Sequence, residues 1–404
     1  MAISPQKAWG IIRSCVKPLG SIRIPLNDAF GYCLAQDVRA DRDMPPADRS
    51  AMDGYALRAA DLTGYPCNLR LIGEVAAGSS QRPKVAPGCC TSILTGANTP
   101  PGSDTVVKIE LTSLDGEIVT IHEPTKAFMN VRKRGEEAVK GDVLLSAGTI
   151  LSPAAVGVCA TVGLASPKVR RQPKIALLCT GEELRDVSQT VGAHQTRNSN
   201  GPVMQAILAR EGFASVTHEI VPDDPQLTID ALRRATDNAD MTILSGGVSV
   251  GKYDYVPDSV AAIGAKLRFH QIQMKPGKPV LYATRGRNAH IIGLPGNPVS
   301  VLTSMHVFVL PALRLLAGVN PENARSTLRV PLAGKVKSRS GRTLMALGRI
   351  VNKRSGPVVE PVGSMGSADV YAAASADGVI TVPASKTELP AGTIVDFLPW
   401  RSIS

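Results

Sequence analysis

The chain of 404 residues lacks a long apolar run, which argues against a membrane-spanning helix. The most apolar stretch, residues 298–318, is interrupted by Ser300 and His306 and reaches Arg314, whereas a spanning helix needs about 20 predominantly apolar residues. Near the start of the chain, Lys7 is followed by a mixed sequence rather than by the apolar core of a signal peptide. We therefore expect a cytoplasmic protein with no membrane partner.

Aromatic residues are also scarce, at 4% of the chain, although the net charge is +11. A basic surface favours an anionic partner. Proteins that bind single-stranded nucleic acid stack bases on aromatic side chains, so the scarcity argues against nucleic acid. A small phosphorylated or oxyanionic ligand fits better, and a basic surface that is merely well solvated is the alternative.

The seven cysteines are odd in number and irregularly spaced, which excludes a disulfide framework of the kind found in small secreted proteins. Only Cys89 and Cys90 are adjacent, and no second pair completes a zinc site. We expect all seven to be free thiols.

The chain is long enough for two to four domains, at about 100 to 200 residues each. From Lys174 onward, apolar strands alternate with amphipathic helices, which predicts a mostly parallel sheet covered on both faces. The expected fold class is α/β plus β: a central, doubly wound α/β domain with a β-rich domain and a C-terminal small β barrel or sandwich. A helix is expected over residues 4–17, with Ser4 as its cap.

These patterns predict a division into four domains. The polar segment 40–57 is too broken by Pro and Asp to be a core element, so it is interpreted as a linker or a site loop. The expected boundaries are 1–20 with 172–322 for the α/β domain, 21–40 with 141–171 for a discontinuous linking domain, 41–140 for the β-rich domain, and 323–404 for the β barrel.

Unusual polar residues follow several strands of the α/β region. These loops contain Glu182 and Glu183 after strand 174–179; Gly246, Gly247, Lys252 and Asp254 after the strand that begins at Met241; Lys275 and Lys278 after strand 267–274; and the segment 294–300 after strand 289–293. If these strands are parallel, their loops lie at one edge of the sheet, where α/β proteins bind ligands. We expect Gly246 and Gly247 to face the substrate there.

Each loop also has an ordinary structural interpretation. Asp254 is equally suited to cap the helix predicted from residue 256, and Lys275 and Lys278 can be exposed turn residues. Taken together, however, Glu183 and Asp254 supply the oxygen ligands that Mg²⁺ takes beside substrate phosphates. Lys275, Lys278 and the helix start near Ser300 would hold an oxyanion. This combination favours phosphoryl or nucleotidyl chemistry.

Seven ordered motifs resemble the molybdopterin molybdenumtransferases, the MoeA-like family that includes the gephyrin E domain. The motifs are PPADRSAMDGYAL (45–57), SILTGANTPPGSDTVV (92–107), NVRKRGEE (130–137), LLCTGEEL (177–184), LSGGVSVGKYDY (244–255), MKPGKPV (274–280) and GLPGNPVS (293–300). The resemblance implies a molybdopterin-binding α/β domain. It also implies an enzyme that inserts molybdate into adenylylated molybdopterin and releases AMP in the presence of Mg²⁺.

The resemblance further implies a homodimer whose site combines the α/β domain of one subunit with the β-rich domain of the other. Partners would be the upstream molybdopterin adenylyltransferase and downstream molybdoenzymes. The residues that match the family's functional positions are Asp53, Thr95, Glu183 and Asp254 for catalysis, the last two also for the metal, and Lys275, Lys278, Ser300, Arg342 and Ser367 for molybdate.

The chain departs from the family pattern at three positions. Asn198 replaces a carboxylate, Glu137 replaces a shorter aspartate, and Leu347 stands where a cation is common. The missing carboxylate at Asn198 and the missing cation at Leu347 make an inactive molybdopterin-binding or scaffold protein of the same fold the alternative to the enzyme. A nucleotide hydrolase with the same α/β domain is a third hypothesis.

Overall fold

The computed structural model describes residues 2–249, 254–286, 288–338 and 341–400. Its chain forms two compact units. The larger unit contains Met1–Ala35, Gly148–Ser152 and Pro167–Ser404, and the smaller unit contains Gln36–Ala147 and Pro153–Ser166. The four-domain division with its boundaries stays a prediction.

The helices and strands are numbered in chain order. The helices are α1 Pro5–Cys15, α2 Pro153–Thr161, α3 Asn200–Arg210, α4 Pro225–Asn238, α5 Val256–Ala262, α6 Pro298–Ser304, α7 Leu310–Leu316 and α8 Val370–Ala374, with a π-helical turn at Met305–Val309 between α6 and α7. The strands up to residue 170 are β1 Ser21–Arg23, β2 Val38–Arg39, β3 Arg49–Ser50, β4 Gly54–Leu57, β5 Cys67–Val75, β6 Cys89–Ile93, β7 Thr105–Lys108, β8 Thr112–Asp115, β9 Ile118–Ile121, β10 Val131–Arg132, β11 Val143–Leu145 and β12 Lys168–Arg170. The later strands are β13 Ile175–Thr180, β14 Leu184–Arg185, β15 Thr196–Arg197, β16 Val216–Val221, β17 Met241–Ser245, β18 Lys266–His270, β19 Met274–Lys275, β20 Leu281–Arg285, β21 Ala289–Leu294, β22 Leu328–Pro331, β23 Val336–Lys337, β24 Thr343–Lys353, β25 Gly356–Pro361, β26 Gly378–Val382, β27 Glu388–Leu389 and β28 Ile394–Pro399.

The first helix forms as its sequence predicts. Ser4 occupies the N-cap and accepts a hydrogen bond from the backbone N–H of Lys7 at 3.2 Å. Ala8 and Ile12, one turn apart, are fully buried in the core of the larger unit. The capping residue and the apolar stripe therefore place α1 on the α/β region.

The central sheet of the larger unit has the strand order β16-β13-β17-β21-β20-β18. The pairs β13–β16, β13–β17 and β17–β21 are parallel, whereas β20 is antiparallel to both of its neighbours. Consequently β18 runs in the same direction as β13, β17 and β21, and the loops after all four strands emerge at one edge. The prediction of a mostly parallel α/β sheet is confirmed.

Alternate residues of the central strands enter two different cores. Leu177 and Ile243 pack with residues of α1, α3, α6 and α7, whereas Leu178 and Leu244 pack with residues of α4 and α5. Successive strand side chains point to opposite faces, so this division requires a layer of helices on each side of the sheet. The region is doubly wound, as predicted.

The apolar segment Pro298–Leu316 is long and apolar enough, by length and composition, to cross a membrane. In the structure, however, 89% of its most apolar window is buried inside the protein. It is a core helix of the larger unit. Its central residues, Met305–Val309, form a π-helical turn.

The C-terminal strands form a sheet that curves back on itself. The order is β19-β24-β26-β28-β22, and β25 pairs with β24. A bridge between Leu332, just after β22, and Val359 of β25 joins the last strand of this order to the strand that pairs with β24. Val330, Val359, Ile380 and Phe397 fill the interior. The predicted small β barrel is confirmed.

The smaller unit is built on a sheet of order β7-β4-β6-β5-β9-β8. Its strand β4, Gly54–Leu57, is fully buried between β6 and β7, so the interpretation of segment 40–57 as too broken for a core element is wrong there. A Cβ at Gly54 would overlap the carbonyl of Val107. Four residues are too few to show the alternation that predicts a strand. Strand β4 forms because it pairs with β6 on one side and with β7 on the other.

The segments that flank the β-rich region pair with each other in two short ladders. Strand β1 pairs with β12 in the larger unit, and β2 pairs with β11 in the smaller unit. All seven cysteines are free, as predicted.

An ion pair joins the starts of two central strands at the edge opposite the ligand-binding loops. Arg171, before β13, contacts both carboxylate oxygens of Asp240, before β17, at 2.6 and 2.7 Å, and the N–H of Lys174 donates to Asp240 at 2.8 Å. Burial opposes ionisation, but the hydrogen bonds from Arg171 and Lys174 lower the pKa of Asp240. Its contribution to stability is therefore present above about pH 4 and is lost as the pH falls.

Asp240→Ala should destabilise the protein by about 2–4 kcal/mol, because it leaves the Arg171 charge and the Lys174 N–H without their partner. Urea unfolding of the full chain at pH 7, followed by circular dichroism, measures this. The matched control is Asp230→Ala, which removes an exposed pair with Arg233 and should change stability by less than about 0.5 kcal/mol. Equal effects of the two substitutions would contradict the prediction.

Candidate active site

Two adjacent cavities lie at the ligand-binding edge of the central sheet. The acidic cavity, about 570 Å³, is lined by residues that include Glu183 and Asp254. The basic cavity, about 580 Å³, is lined by residues that include Lys275 and Lys278. Both cavities share Pro279, Pro295 and Asn297 as wall residues. A ligand with an anionic part and a cation-binding part would span this common wall.

The acidic cavity is lined by residues from the loops that follow three parallel strands. Glu183 follows β13, Gly247 follows β17, and Asn297 follows β21, which are neighbours in the sheet. Asp254 lies just before α5, whose N-cap position is occupied by Tyr255 rather than by Asp254. Tyr255 makes no side-chain hydrogen bond at this cap. Lys252 lies outside the described residues.

The glycine pair after β17 allows the loop to approach the neighbouring strand closely. Gly246 and Gly247 have φ angles of 100° and 63°, which L side chains rarely adopt. A Cβ at Gly246 would collide with the carbonyl of Thr180, and one at Gly247 would lie 2.9 Å from the Thr180 hydroxyl. Gly247 lines the acidic cavity, whereas Gly246 supports the loop by donating its N–H to Leu294 at 3.1 Å.

Asp223 is a carboxylate of this region that sequence analysis missed. It follows β16, which is parallel to β13, and accepts a hydrogen bond from the N–H of Glu182 at 3.1 Å. Burial, followed by repulsion from Glu183, Glu182 and Asp254, raises the pKa of Asp223. The signal that could have found it was its place after a strand, at the same edge as Glu183. Several carboxylates therefore concentrate negative charge here.

The basic cavity brings together residues that are far apart in sequence. All five residues predicted for molybdate line it: Lys275, Lys278, Ser300, Arg342 and Ser367. The loop that carries Ser367 is fastened to the start of α6, because Asn297 donates to the Ser367 hydroxyl at 2.9 Å and the N–H of Val299 donates to its carbonyl at 3.0 Å. Positive and hydroxyl groups thus face one space, as an oxyanion requires.

Two departures from the family pattern have structural explanations. Leu347 is 4% exposed and belongs to an apolar wall of the basic cavity, which leaves Lys275, Lys278 and Arg342 as its cations. Asn198 is buried, accepts a hydrogen bond from the N–H of Gly201 at 3.0 Å, and contacts His218 at 3.2 Å. An amide serves both contacts without introducing a buried charge. The third departure, Glu137, forms an ion pair with Arg132 in the smaller unit.

In the smaller unit, the two other predicted catalytic residues contact each other. Thr95 donates to one carboxylate oxygen of Asp53 through its N–H at 2.7 Å and through its hydroxyl at 2.8 Å. The backbone bond, followed by the hydroxyl bond, lowers the pKa of Asp53. The two residues meet because Asp53 precedes β4 and Thr95 follows β6, its antiparallel neighbour.

No three His, Cys, Asp or Glu side chains among the described residues are close enough to hold a metal ion alone. Mg²⁺ does not require such a cage, because it commonly binds through one or two carboxylates, substrate phosphates and water. Glu183 and Asp254 face one cavity, and their repulsion of Asp223 indicates excess negative charge. The donor set fits Mg²⁺.

Comparison with known proteins covers nearly the whole chain. Family models match residues 3–163 as the MoeA N-terminal region (domain I and II), residues 176–315 as a probable molybdopterin binding domain, and residues 329–400 as the MoeA C-terminal region (domain IV).

Similar proteins match this chain over nearly its whole length. A molybdopterin molybdenumtransferase of Staphylococcus aureus is 32% identical over 95% of this chain and 92% of its own length, and one of Staphylococcus epidermidis is 30% identical over the same shares. A crystal structure of the molybdopterin biosynthesis moeA protein from Pyrococcus horikoshii has 25% identity and a TM-score of 0.84, covering 99% of this chain and all of that one.

The raised pKa of Asp223 predicts a pH dependence of stability. Because folding raises this pKa, the folded protein loses stability as the pH rises through it. Asp223→Asn keeps an acceptor for the Glu182 N–H but removes the repulsion. In buffer with EDTA, it should therefore gain up to about 1 kcal/mol at pH 7 and little at pH 4.

Urea midpoints at the two pH values measure this difference, and Asp115→Asn, an exposed position in the smaller unit, is the control. A loss of stability at pH 7 in Asp223→Asn would show that the neighbouring carboxylates do not repel Asp223.

Proposed function

The chain belongs to the MoeA family of molybdopterin molybdenumtransferases, and on this premise we propose that it inserts molybdenum from molybdate into adenylylated molybdopterin with release of AMP. The observation that carries the proposal is the pair of adjacent cavities. One presents carboxylates and the other presents cations, and they share the wall formed by Pro279, Pro295 and Asn297. The substrate has matching parts: a phosphoanhydride and a site for an oxyanion.

In this proposal the basic cavity holds molybdate. The Lys275 and Lys278 ammonium groups and the Arg342 guanidinium neutralise its charge, while Ser300 and Ser367 offer hydroxyl donors. Ser300 is only 2% exposed, so its position is set by packing at the start of α6. The apolar wall that contains Leu347 limits water around the oxyanion, which strengthens each of these electrostatic contacts.

The acidic cavity holds the adenylate. Glu183 and Asp254 would bind Mg²⁺, which when bound neutralises phosphate charge during cleavage of the anhydride. Gly247 lets the loop at this cavity pack closely against Thr180 and Val256, since a side chain there would collide with them. Burial, followed by repulsion from Glu183, Glu182 and Asp254, raises the pKa of Asp223, and a divalent cation bound there would relieve this repulsion.

We also propose a cytoplasmic homodimer that receives its substrate from a molybdopterin adenylyltransferase and passes its product to molybdoenzymes. The exposed Asp53–Thr95 pair of the smaller unit serves the site of the partner subunit. Two hydrogen bonds hold the Asp53 carboxylate in place before any substrate arrives, which is the arrangement expected of a preorganised polar group.

The purified protein should release AMP from adenylylated molybdopterin when molybdate and Mg²⁺ are supplied, and the product should activate a molybdenum-free molybdoenzyme. Asp254→Ala should abolish AMP release, because it removes a carboxylate of the acidic cavity. AMP is measured by chromatography. Asp258→Ala, an exposed carboxylate on α5, is the matched control and should retain activity. Unchanged AMP release in Asp254→Ala would refute its role.

The shared site is tested by mixing two inactive variants, Asp53→Ala and Asp254→Ala, by co-expression. In a heterodimer with shared sites, one site carries both substitutions and the other carries neither. Random pairing should therefore restore about a quarter of wild-type AMP release. The control is each variant expressed alone. No recovery in the purified heterodimer would show that Asp53 and Asp254 of the same subunit serve one site.

A further inference from the structure

We propose that Asn200 is a positioning residue that holds the acidic and basic cavities in a fixed relation, an inference that rests on the function proposed for those cavities. Asn200 is the first residue of α3 and lines the acidic cavity. Its side-chain nitrogen donates to the Ser245 hydroxyl at 2.8 Å and to the Gly296 carbonyl at 2.6 Å. One amide therefore joins three segments of the chain.

The orientation of this amide follows from its partners. The carbonyl of Gly296 can only accept a hydrogen bond, so the Asn200 atom at 2.6 Å must be the NH₂ group rather than the oxygen. The same group has a second hydrogen, which reaches the Ser245 hydroxyl. Both donors are thus used, an aspartate could not donate to the Gly296 carbonyl, and a leucine of similar size could make neither bond.

The two partners of Asn200 belong to the loops that carry the site. Ser245 ends β17 and immediately precedes the Gly246–Gly247 pair, which leads to Asp254. Gly296 immediately precedes Asn297, the wall residue shared by both cavities, and the start of α6 that carries Ser300. The bonds made by Asn200 therefore connect the loop of the acidic cavity with the loop of the basic cavity.

A further connection ties Asn200 to Glu183. Strand β15, which ends three residues before Asn200, pairs in parallel with β14, and the N–H of Thr196 donates to the Glu183 carbonyl at 2.9 Å. A shift of Asn200 would therefore be transmitted to the backbone of Glu183 as well. The segment from Thr196 to Asn200 links three of the loops at the ligand-binding edge.

The oxygen of Asn200 is buried and has no hydrogen-bond partner among the residues that the structure describes. A buried acceptor without a partner is unfavourable, so ordinary packing does not favour an amide here. Alanine would remove that penalty, yet would also remove both bonds to the loops. The two hydrogen bonds that the Asn200 amide donates explain why an asparagine is present here, and both bonds are made to loops of the site.

The test compares Asn200→Ala with Asn238→Ala in the full-length protein. Asn238 also donates its side-chain NH₂ to a backbone carbonyl, that of Arg234 at 2.8 Å, but it lies at the end of α4, at the opposite edge of the sheet. Molybdate alone is the probe, titrated by calorimetry. Asn200→Ala should weaken molybdate binding roughly tenfold, through loss of two hydrogen bonds. Asn238→Ala should match the wild type.

Amide hydrogen exchange gives a second readout that needs no ligand. In Asn200→Ala, the amides of Gly246 and Val301, which are bonded to Leu294 and Asn297, should exchange faster together, while those of Leu177 and Ile243 in the sheet keep their wild-type rates. Ser245→Ala, which removes one of the two bonds, should give a smaller change. The double substitution should add little to Asn200→Ala.

Each outcome decides the proposal. Unchanged exchange at Gly246 and Val301 in Asn200→Ala would overturn it, as would faster exchange throughout the sheet, which would show a general structural role. Failure of the wild-type protein to bind molybdate would instead count against the proposed function. In that case the exchange data still test whether Asn200 couples the two loops.

Discussion

The parallel register of β13, β17 and β21 is the constraint on which the rest of the structure depends. Each strand is buried on both faces, and each ends at the same edge of the sheet. The loops that follow must therefore lie side by side, however far apart they are in the sequence. Two helical layers keep the strands in place, and the Arg171–Asp240 ion pair joins β13 and β17 at the opposite edge.

At that edge, negative and positive side chains line two adjacent cavities that share the wall residues Pro279, Pro295 and Asn297. Near the acidic cavity, burial and repulsion from neighbouring carboxylates raise the pKa of Asp223. The basic cavity is lined by Lys275, Lys278 and Arg342. Uncompensated charges of one sign are unfavourable inside a protein. The charges of the acidic cavity therefore suit a cation, and those of the basic cavity suit an anion.

Sequence analysis located most of the candidate site but missed two residues whose side chains bond to groups of other loops, Asp223 and Asn200. Glu183, Asp254, Lys275 and Lys278 stood out because each follows an apolar strand. Asp223 follows a strand as well, but it resembles an ordinary turn residue. The strand β4 was interpreted as part of a polar loop, since four residues show no usable periodicity. Asn200 was not singled out, because its role depends on side-chain bonds to Ser245 and Gly296, which are distant in sequence.

The sequence by itself determined the alternation of strands and helices, the free cysteines, the family and the residue types of the site. These depend on local periodicity and on motifs, which the order of residues contains. The tertiary structure alone decided that the cavity lined by Lys275, Ser300, Arg342 and Ser367 adjoins the carboxylates, and that one amide connects the loops of the two cavities. Such relations depend on strand register and on which loops pack together, and residues distant in sequence carry no local signal of either.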